Sequence, residues 1–373
     1  MSVRVLHLAD VHLGATLANF GDYAGRRRSE LEEAFRRSID VALARRVHLV
    51  LIAGDLFDTF RPDPATVNLV RRELGRLREA GIMALAVPGT HDSLAWGDCV
   101  YRRETLPFHR LFTEPTFGDP ATLEIGGAPV VVYGIAFDPR RSGRGWDTLR
   151  RVRPDGIHLA VVHAACRFNP AWPIGPEDLP FREDELAAFG MDYVALGHYH
   201  NTRVFEDGGR VIGAYSGSVE GRDWTETGPR HVLVVEWERP GMPPRVERVR
   251  VHTRALKEVE VDVTGRGDQE EIQQAIEAAC APEILWRIVL TGEPEVAPRP
   301  RQMEATLAAR YGHLQVLDRT TLFSSHILAE RLEEETVRGE FFRRLVESGK
   351  AAADARERAV VERAVKLGLK VFG

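Results

Sequence analysis

The chain has little cysteine. Cys99, Cys166 and Cys280 are odd in number, scattered, and form no Cys-x-x-Cys pair, which argues against both a disulfide framework and a thiolate-bound metal cluster. No apolar stretch approaches the roughly 18 residues that a membrane span requires. The start, Met1-Ser2-Val3-Arg4-Val5-Leu6-His7, turns polar too soon for a signal peptide, so a reducing cytoplasm is the expected location and no membrane association is expected. Positive charge is not in excess either. A net charge of −5 sets up no global field that draws in nucleic acid, so a nucleic-acid function requires a local basic groove. Internal repeats and low-complexity tracts are also lacking.

What is present is an ordinary soluble composition, 44 % hydrophobic and 28 % charged over 373 residues. That length suggests two or three domains at roughly 100–200 residues each. The first strand expected is Val3 to Leu8, followed by a loop, Leu13 to Arg28. Ser29 and Glu32 form a capping box that opens a helix running to about Arg46, with Leu31, Phe35, Ile39, Ala42 and Leu43 at helical spacing. The aliphatic run Leu49 to Ile52 reads as a buried strand. Pro62 and Pro64 precede a second amphipathic helix, Ala65 to Ala80, and Gly81 reads as its C-cap. A third strand, Ile82 to Val87, completes β-α-β-α-β. Further strands are expected at Ala121 to Ile125 and Pro129 to Phe137, joined at Gly126-Gly127. Others are expected at Ile157 to Val162, Met191 to Leu196, Val211 to Tyr215 and His231 to Glu238. The domains read as 1–252, a small α+β unit over 253–319, and a Glu/Arg-rich helical tail over 320–373.

Chemistry gathers where the buried runs stop. Asp10-x-His12 follows the first strand, Gly54-Asp55 the second, Gly89-Thr90-His91-Asp92 the third, and His163 and Gly197-His198-x-His200 two later ones. Open α/β sheets bind ligands at such carboxyl ends. Mixed carboxylate and imidazole donors suit Mn²⁺, Fe²⁺ or Zn²⁺ rather than Ca²⁺. If the Asp-x-His and His-x-His pairs lie on extended backbone, spacing by two points both side chains of each pair to one side. Two such pairs with Asp55 between them in sequence can hold two ions, with Asp55 bridging.

These motifs, in this order, resemble those of the calcineurin-like metallophosphoesterases. The longer stretches Leu8-Ala9-Asp10-Val11-His12-Leu13-Gly14, Gly54-Asp55-Leu56-Phe57-Asp58 and Tyr215-Ser216-Gly217-Ser218 resemble the DNA-repair exonuclease branch, the SbcD-like nuclease subunits. The likeness extends over about residues 3–236. It implies an α+β fold: a metallophosphoesterase α/β sandwich of two mixed β-sheets flanked by helices, a small α+β capping domain, and a helical tail that binds an ATPase. It also implies a hydrolase, a dinuclear-metal DNA exonuclease and endonuclease with Mn²⁺ as the ion, working in DNA-end repair with an SbcC-type ATPase and often as a homodimer. One metal would be held by Asp10, His12, Asp55 and His200, the other by Asp55, Thr90, His163 and His198. His91 would protonate the leaving oxygen or stabilise the transition-state charge, and Asp92 would orient His91. The branch usually has Asn where this chain has Thr90, a shorter and weaker donor.

Two alternatives stand beside this reading. One is a metallophosphatase or phosphodiesterase for small nucleotides or phosphoproteins, which has no need of the extra unit and tail. The other is a non-catalytic scaffold on the same fold, favoured only by Thr90. DNA-binding residues are not assigned. Arg26-Arg27-Arg28 and the arginines from Arg140 to Arg153 read either as phosphate contacts or as solvated loop. In the tail, Phe341, Phe342, Leu345 and Val346 suggest a partner-binding face.

Overall fold

The aliphatic runs become the centres of two sheets. In the computed structural model, which describes residues 2–140, 145–168, 174–321 and 325–372, the chain forms two compact units, 1–255 and 256–373. The first opens with β1 (Val3–Leu8), α1 (Ala24–Ala44), β2 (Leu49–Ala53), α2 (Pro64–Glu79) and β3 (Met83–Val87). The two crossovers make β1, β2 and β3 parallel neighbours. A one-turn helix α3 (Val100–Arg103) and the short β4 (Arg110–Leu111) follow. Then come β5 (Ala121–Ile125), β6 (Ala128–Ile135), β7 (Ile157–His163), β8 (Tyr193–Gly197), β9 (Arg203–Asp207), β10 (Arg210–Tyr215), β11 (His231–Trp237) and β12 (Arg245–Arg250). One mixed sheet runs β12-β11-β1-β2-β3-β4 and the other β5-β6-β7-β8-β10-β9, the expected two-sheet α+β architecture.

The sheets share one apolar core. Val5, Leu51 and Leu85 from the first meet Val132, Leu159, Val161 and Ala195 from the second, all buried. Strands β1, β2, β3, β7 and β8 are buried along almost their whole length. The candidate site residues lie at or just beyond their carboxyl ends, with His163 the last residue of β7.

The helices show where sequence cues compete with tertiary contacts. At α2, Asp63 accepts from the backbone N–H of Ala65 and Thr66 at 2.9 and 3.0 Å, and Pro64 takes the first helical position, where its missing N–H costs nothing. At α1 the capping box is not used. The helix starts five residues earlier, and Ser29 Oγ donates back to the Gly25 carbonyl at 3.4 Å. Buried Arg27 accounts for the extension, because it donates to the Gly221 carbonyl and pairs with Glu30 and Glu220 at 2.9 and 2.8 Å. Removing one partner from a buried ion pair costs about 3–5 kcal/mol, which outweighs a cap at about 1 kcal/mol. Arg27 is therefore a structural cation rather than a phosphate contact.

The later arginines are mostly engaged as well. Arg151 pairs with Asp192 and Arg153 with Asp155, while Arg140 is well exposed beside Asp138. Arg141 and Arg144 lie outside the described residues.

The second unit begins with β13 (Leu256–Asp262), α4 (Gln269–Ala279), β14 (Leu285–Thr291), α5 (Pro300–Tyr311) and β15 (Leu314–Asp318). Its three strands are parallel around a core that includes Ile272, Ile276, Ile288 and Leu307. The helices α6 (Ser325–Glu333), α7 (Val337–Ala351) and α8 (Ala355–Phe372) follow. Phe342, expected on a partner-binding face, is fully buried against Val365 and Leu369. The exposed apolar side chains are instead Val337, Phe341, Val360, Leu367, Val371 and Phe372. Among the described residues no helix is long and apolar enough to cross a membrane.

Candidate metal centre

Two loops built side by side carry the first three candidate ligands. The Asp10 N–H donates to the Gly54 carbonyl at 3.2 Å, and the His12 N–H donates to the Asp55 carbonyl at 3.0 Å. The chain beyond β1 thus stays paired to the chain beyond β2, but not as extended strand. Asp10, His12 and Asp55 have φ of 52°, 53° and 49°, and His198 has φ of 108°. The extended-backbone geometry expected for the two spaced pairs is overturned: the backbone turns to positive φ at Asp10, His12 and His198. Each such residue costs of order 1–3 kcal/mol and persists where surrounding structure fixes it, often at functional sites. Gly54, at φ of 89°, answers a second demand: a Cβ there would run into the His163 ring.

Around Asp55 the groups face one another. Its Oδ2 lies 3.6 Å from His12 Nε2 and 3.4 Å from His163 Nε2, and the Thr90 hydroxyl donates to the same oxygen at 3.1 Å. Its Oδ1 accepts the His91 N–H at 2.8 Å. Asp10 accepts the His198 N–H at 3.0 Å. Ligand atoms of Asp10, His12 and His200 lie within 4.8 Å of one another, as do those of Asp10, Asp55 and His163, and those of His12, Asp58 and His91. Among the described residues His198 joins none of these groups; its ring packs edge-on against His163 with centroids 5.2 Å apart.

Four imidazoles repeat one arrangement. Nδ1–H donates to the Asp58 carboxylate from His12 at 3.1 Å, to the Asp58 carbonyl from His91 at 3.0 Å, to the Ala53 carbonyl from His163 at 3.0 Å, and to Glu226 from His200 at 2.7 Å. Each acceptor sets the tautomer that leaves Nε2 as the free nitrogen. The Nε2 atoms of His12 and His163 are buried without a hydrogen-bond partner. Two orphaned lone pairs flanking one carboxylate oxygen are unfavourable in a dry core, and they fit a divalent cation, as does the mixed N/O donor set.

The electrostatics agree. Burial, with the charges of Arg222 and His200, pushes His12 well below the ordinary imidazole range. Burial and neighbouring His163 take His198 down to about 3. Both are therefore neutral, the form a metal ligand requires. Burial also opposes protonation of His163 and His200, yet Asp55 and Asp10 raise the first, and the Glu226 hydrogen bond with Asp10 raises the second. The field that draws protons onto these two imidazoles equally favours a bound cation. Burial opposes ionisation of Asp55 too, but His163 and His91 overcome it and hold the carboxyl below its usual range.

Three residues support the site: Asp58, present in the sequence motif but given no role there, and Glu226 and Arg222, which were not singled out from the sequence. Asp58 holds His12 and His91 together. Glu226 is pulled down to about 2 against its burial by His200, Arg222 and Ser218, and the Ser218 hydroxyl donates to it at 2.7 Å. The Tyr215-Ser216-Gly217-Ser218 stretch therefore reaches the site through Glu226. Outer-shell partners of this kind are worth about 10–100-fold in metal affinity. Arg222 pairs with Asp58 at 3.2 Å and donates toward His200 Nε2 at 3.3 Å. The expectation for Asp92 fails. Fully buried, it accepts from the N–H groups of Leu56, Phe57 and Gly89 and from the Tyr101 hydroxyl. Asp92 staples the loops after β2 and β3 together, and its carboxylate is spent on those four donors rather than on the His91 ring.

Comparison with known proteins gives matching results. Residues 3–202 match the family described as calcineurin-like phosphoesterase. The chain is 32 % identical over 216 residues to a DNA double-strand break repair protein Mre11 of Sulfurisphaera tokodaii, covering 56 % of this chain and 52 % of that one. It is 29 % identical over 304 residues to the protein of the same name in Haloferax volcanii, covering 78 % and 62 %. It is 25 % identical over 279 residues to the uncharacterized metallophosphoesterase YhaO of Bacillus subtilis, covering 73 % and 66 %. The chain thus spans between about half and two thirds of the length of these relatives.

Proposed function

Because this chain belongs to the calcineurin-like phosphoesterase family, we propose that it is a metal-dependent hydrolase of phosphodiesters whose substrate is DNA, acting in DNA-end processing. The observation that carries the reading is the pair of buried, unpartnered Nε2 atoms on either side of Asp55 Oδ2, beside an exposed histidine. In this reading Asp10, His12, Asp55 and His200 hold one ion. Asp55, His163, His198 and Thr90 hold the other, and Mn²⁺ is the ion of choice. When bound, such ions lower the pKa of water to supply a nucleophile near neutral pH and neutralise charge on the phosphate.

The chain's own residues do the rest. Asp58 pins the His91 ring through Nδ1–H, which leaves Nε2 as the nitrogen that meets the leaving oxygen. Acting as the acid, His91 would be the doubly protonated imidazolium, giving up its Nε2 proton and keeping Nδ1–H on Asp58. Glu226 keeps His200 in its ligating tautomer. Asp92 fixes the relative position of the loops bearing Asp55 and His91. DNA as substrate is supported by relatives named for DNA double-strand break repair.

The reading divides the chain into catalysis over 1–252, a capping domain over 253–319 and a partner-binding tail over 320–373. An SbcC-type ATPase is the partner proposed for the tail, supported by the exposed side chains of Val337, Val360, Leu367 and Val371. Replacing Leu367 and Val371 together with Glu abolishes that association in a co-purification assay; undiminished binding removes the tail from the interface. The substrate is tested by Mn²⁺-dependent turnover of linear duplex, hairpin DNA and a small phosphodiester. Efficient cleavage of DNA is the expected result. Turnover confined to the small ester would move the assignment to a small-molecule phosphodiesterase.

A further inference from the structure

Two aromatic rings sit on the loops that carry the acid and its anchor. Phe60 lies two residues beyond Asp58 and Trp96 five beyond His91. Their rings are stacked, centroids 4.9 Å apart and 19° from parallel. Phe60 covers one face of the indole, yet 55 % of Trp96 remains exposed, and among the described residues it is the one exposed aromatic of the first unit. A large aromatic side chain ordinarily gains by burying its surface, so an indole held out on a stacked base is unusual.

The platform is rigidly tied to the site. The Val100 N–H donates to the Phe60 carbonyl at 2.8 Å and the Cys99 N–H to the Trp96 carbonyl at 3.2 Å. The Tyr101 hydroxyl joins the same Asp92 that holds Leu56 and Phe57. Cationic groups flank it. The Arg61 guanidinium lies 5.5 Å from the Phe60 centroid, with its side chain well exposed beside Asp98, and Arg102 is exposed on the next turn.

Resting on the phosphodiesterase reading above, we infer that Trp96, backed by Phe60, is a stacking platform for an unpaired nucleobase next to the scissile phosphate. Every base has a π-face, so stacking of this kind is tolerant of sequence. Bases inside a duplex already have both faces covered by their neighbours. Only a frayed, overhanging or single-stranded base offers a face to the indole. Arg102, and Arg61 in its exposed ion pair with Asp98, present guanidinium groups that a nucleotide's phosphate can meet. The platform therefore selects DNA ends with unpaired bases over blunt duplex.

The test separates binding from cleavage. A fluorescein-labelled phosphorothioate single strand, and a blunt duplex of the same length, are titrated with the full chain in Mn²⁺ and followed by anisotropy. Trp96→Ala weakens single-strand binding about 5- to 150-fold, the range for loss of one base–aromatic stack. Trp96→Phe restores most of it, and blunt-duplex affinity changes less than about twofold. The platform is overturned by equal single-strand affinity in wild type and Trp96→Ala, by absent single-strand binding in wild type, or by an equal loss on blunt duplex. The first of these results is what an apolar docking surface for a protein partner would give. Wild-type turnover of a small phosphodiester, measured in the same buffer, tests the catalytic reading separately, since that substrate needs no base contact.

Discussion

His91→Ala is expected to slow phosphodiester cleavage by about 10²–10⁴-fold, the contribution of a positioned general acid, while the chain keeps its full complement of metal. Three observations lead there. His91 is the exposed member of the cluster, its side chain 46 % accessible, whereas His12 and His163 are buried beside Asp55. Its Nδ1–H is committed to the Asp58 carbonyl, which orients the ring without occupying the nitrogen that would meet substrate. Its backbone N–H holds Asp55 Oδ1, a bond that alanine retains, so the Asp55 carboxylate stays in place. The competing role is that of ligand, because His91 also falls within the group formed with His12 and Asp58. Single-turnover cleavage combined with bound-metal analysis decides between them. Loss of an ion in His91→Ala makes it a ligand, and unchanged cleavage removes it from the chemistry.

Asp55→Asn is expected to abolish binding of both ions. The substitution preserves shape, and the new amide oxygen can still accept the His91 N–H. What it removes is the negative charge between His12 Nε2 and His163 Nε2, and the new amide nitrogen can donate to one of those lone pairs, filling the site with a hydrogen bond. A ligand that binds only the folded state stabilises it by about 2.7 kcal/mol per site at a hundred times its Kd. Wild type should therefore show a clear Mn²⁺-dependent rise in Tm, and Asp55→Asn none. A normal rise in the variant would take the bridging role away from Asp55.

Much of this centre is legible in the sequence for a definite reason. Each candidate site residue lies at or just past the end of a buried strand, and a buried strand announces itself as an aliphatic run. Asp10, His12, Asp55, His91, His163 and His200 could thus be read as one constellation before any fold was known. The backbone at those residues could not be read. Left-handed φ at Asp10 and His12 arises from pairing with the loop at Gly54 and Asp55, a contact between segments more than forty residues apart, with no local signature. The supporting shell was hidden for a related reason. Glu226 lies in an irregular loop without periodicity, and only its distance from Ser218, eight residues away, hints that it belongs to the Tyr215-Ser216-Gly217-Ser218 stretch. Asp92 misled because adjacency to His91 suggested a partnership, whereas four donors from its own and neighbouring loops hold its carboxylate. At Ser29 a local capping cue was overridden by the buried ion pairs of Arg27. Within the second unit, helical spacing identified the tail helices but could not tell that Phe342 packs inward while Phe341 stays partly exposed.

The proposed bridging of two ions by Asp55 is tested most directly by Mn²⁺ itself. Titrating Mn²⁺ into metal-free protein, followed by electron paramagnetic resonance, should give two ions per chain, with the six-line signal of an isolated ion replaced by that of an exchange-coupled pair as the second ion enters. One uncoupled ion at saturation, or none, would contradict a dinuclear centre built on Asp55.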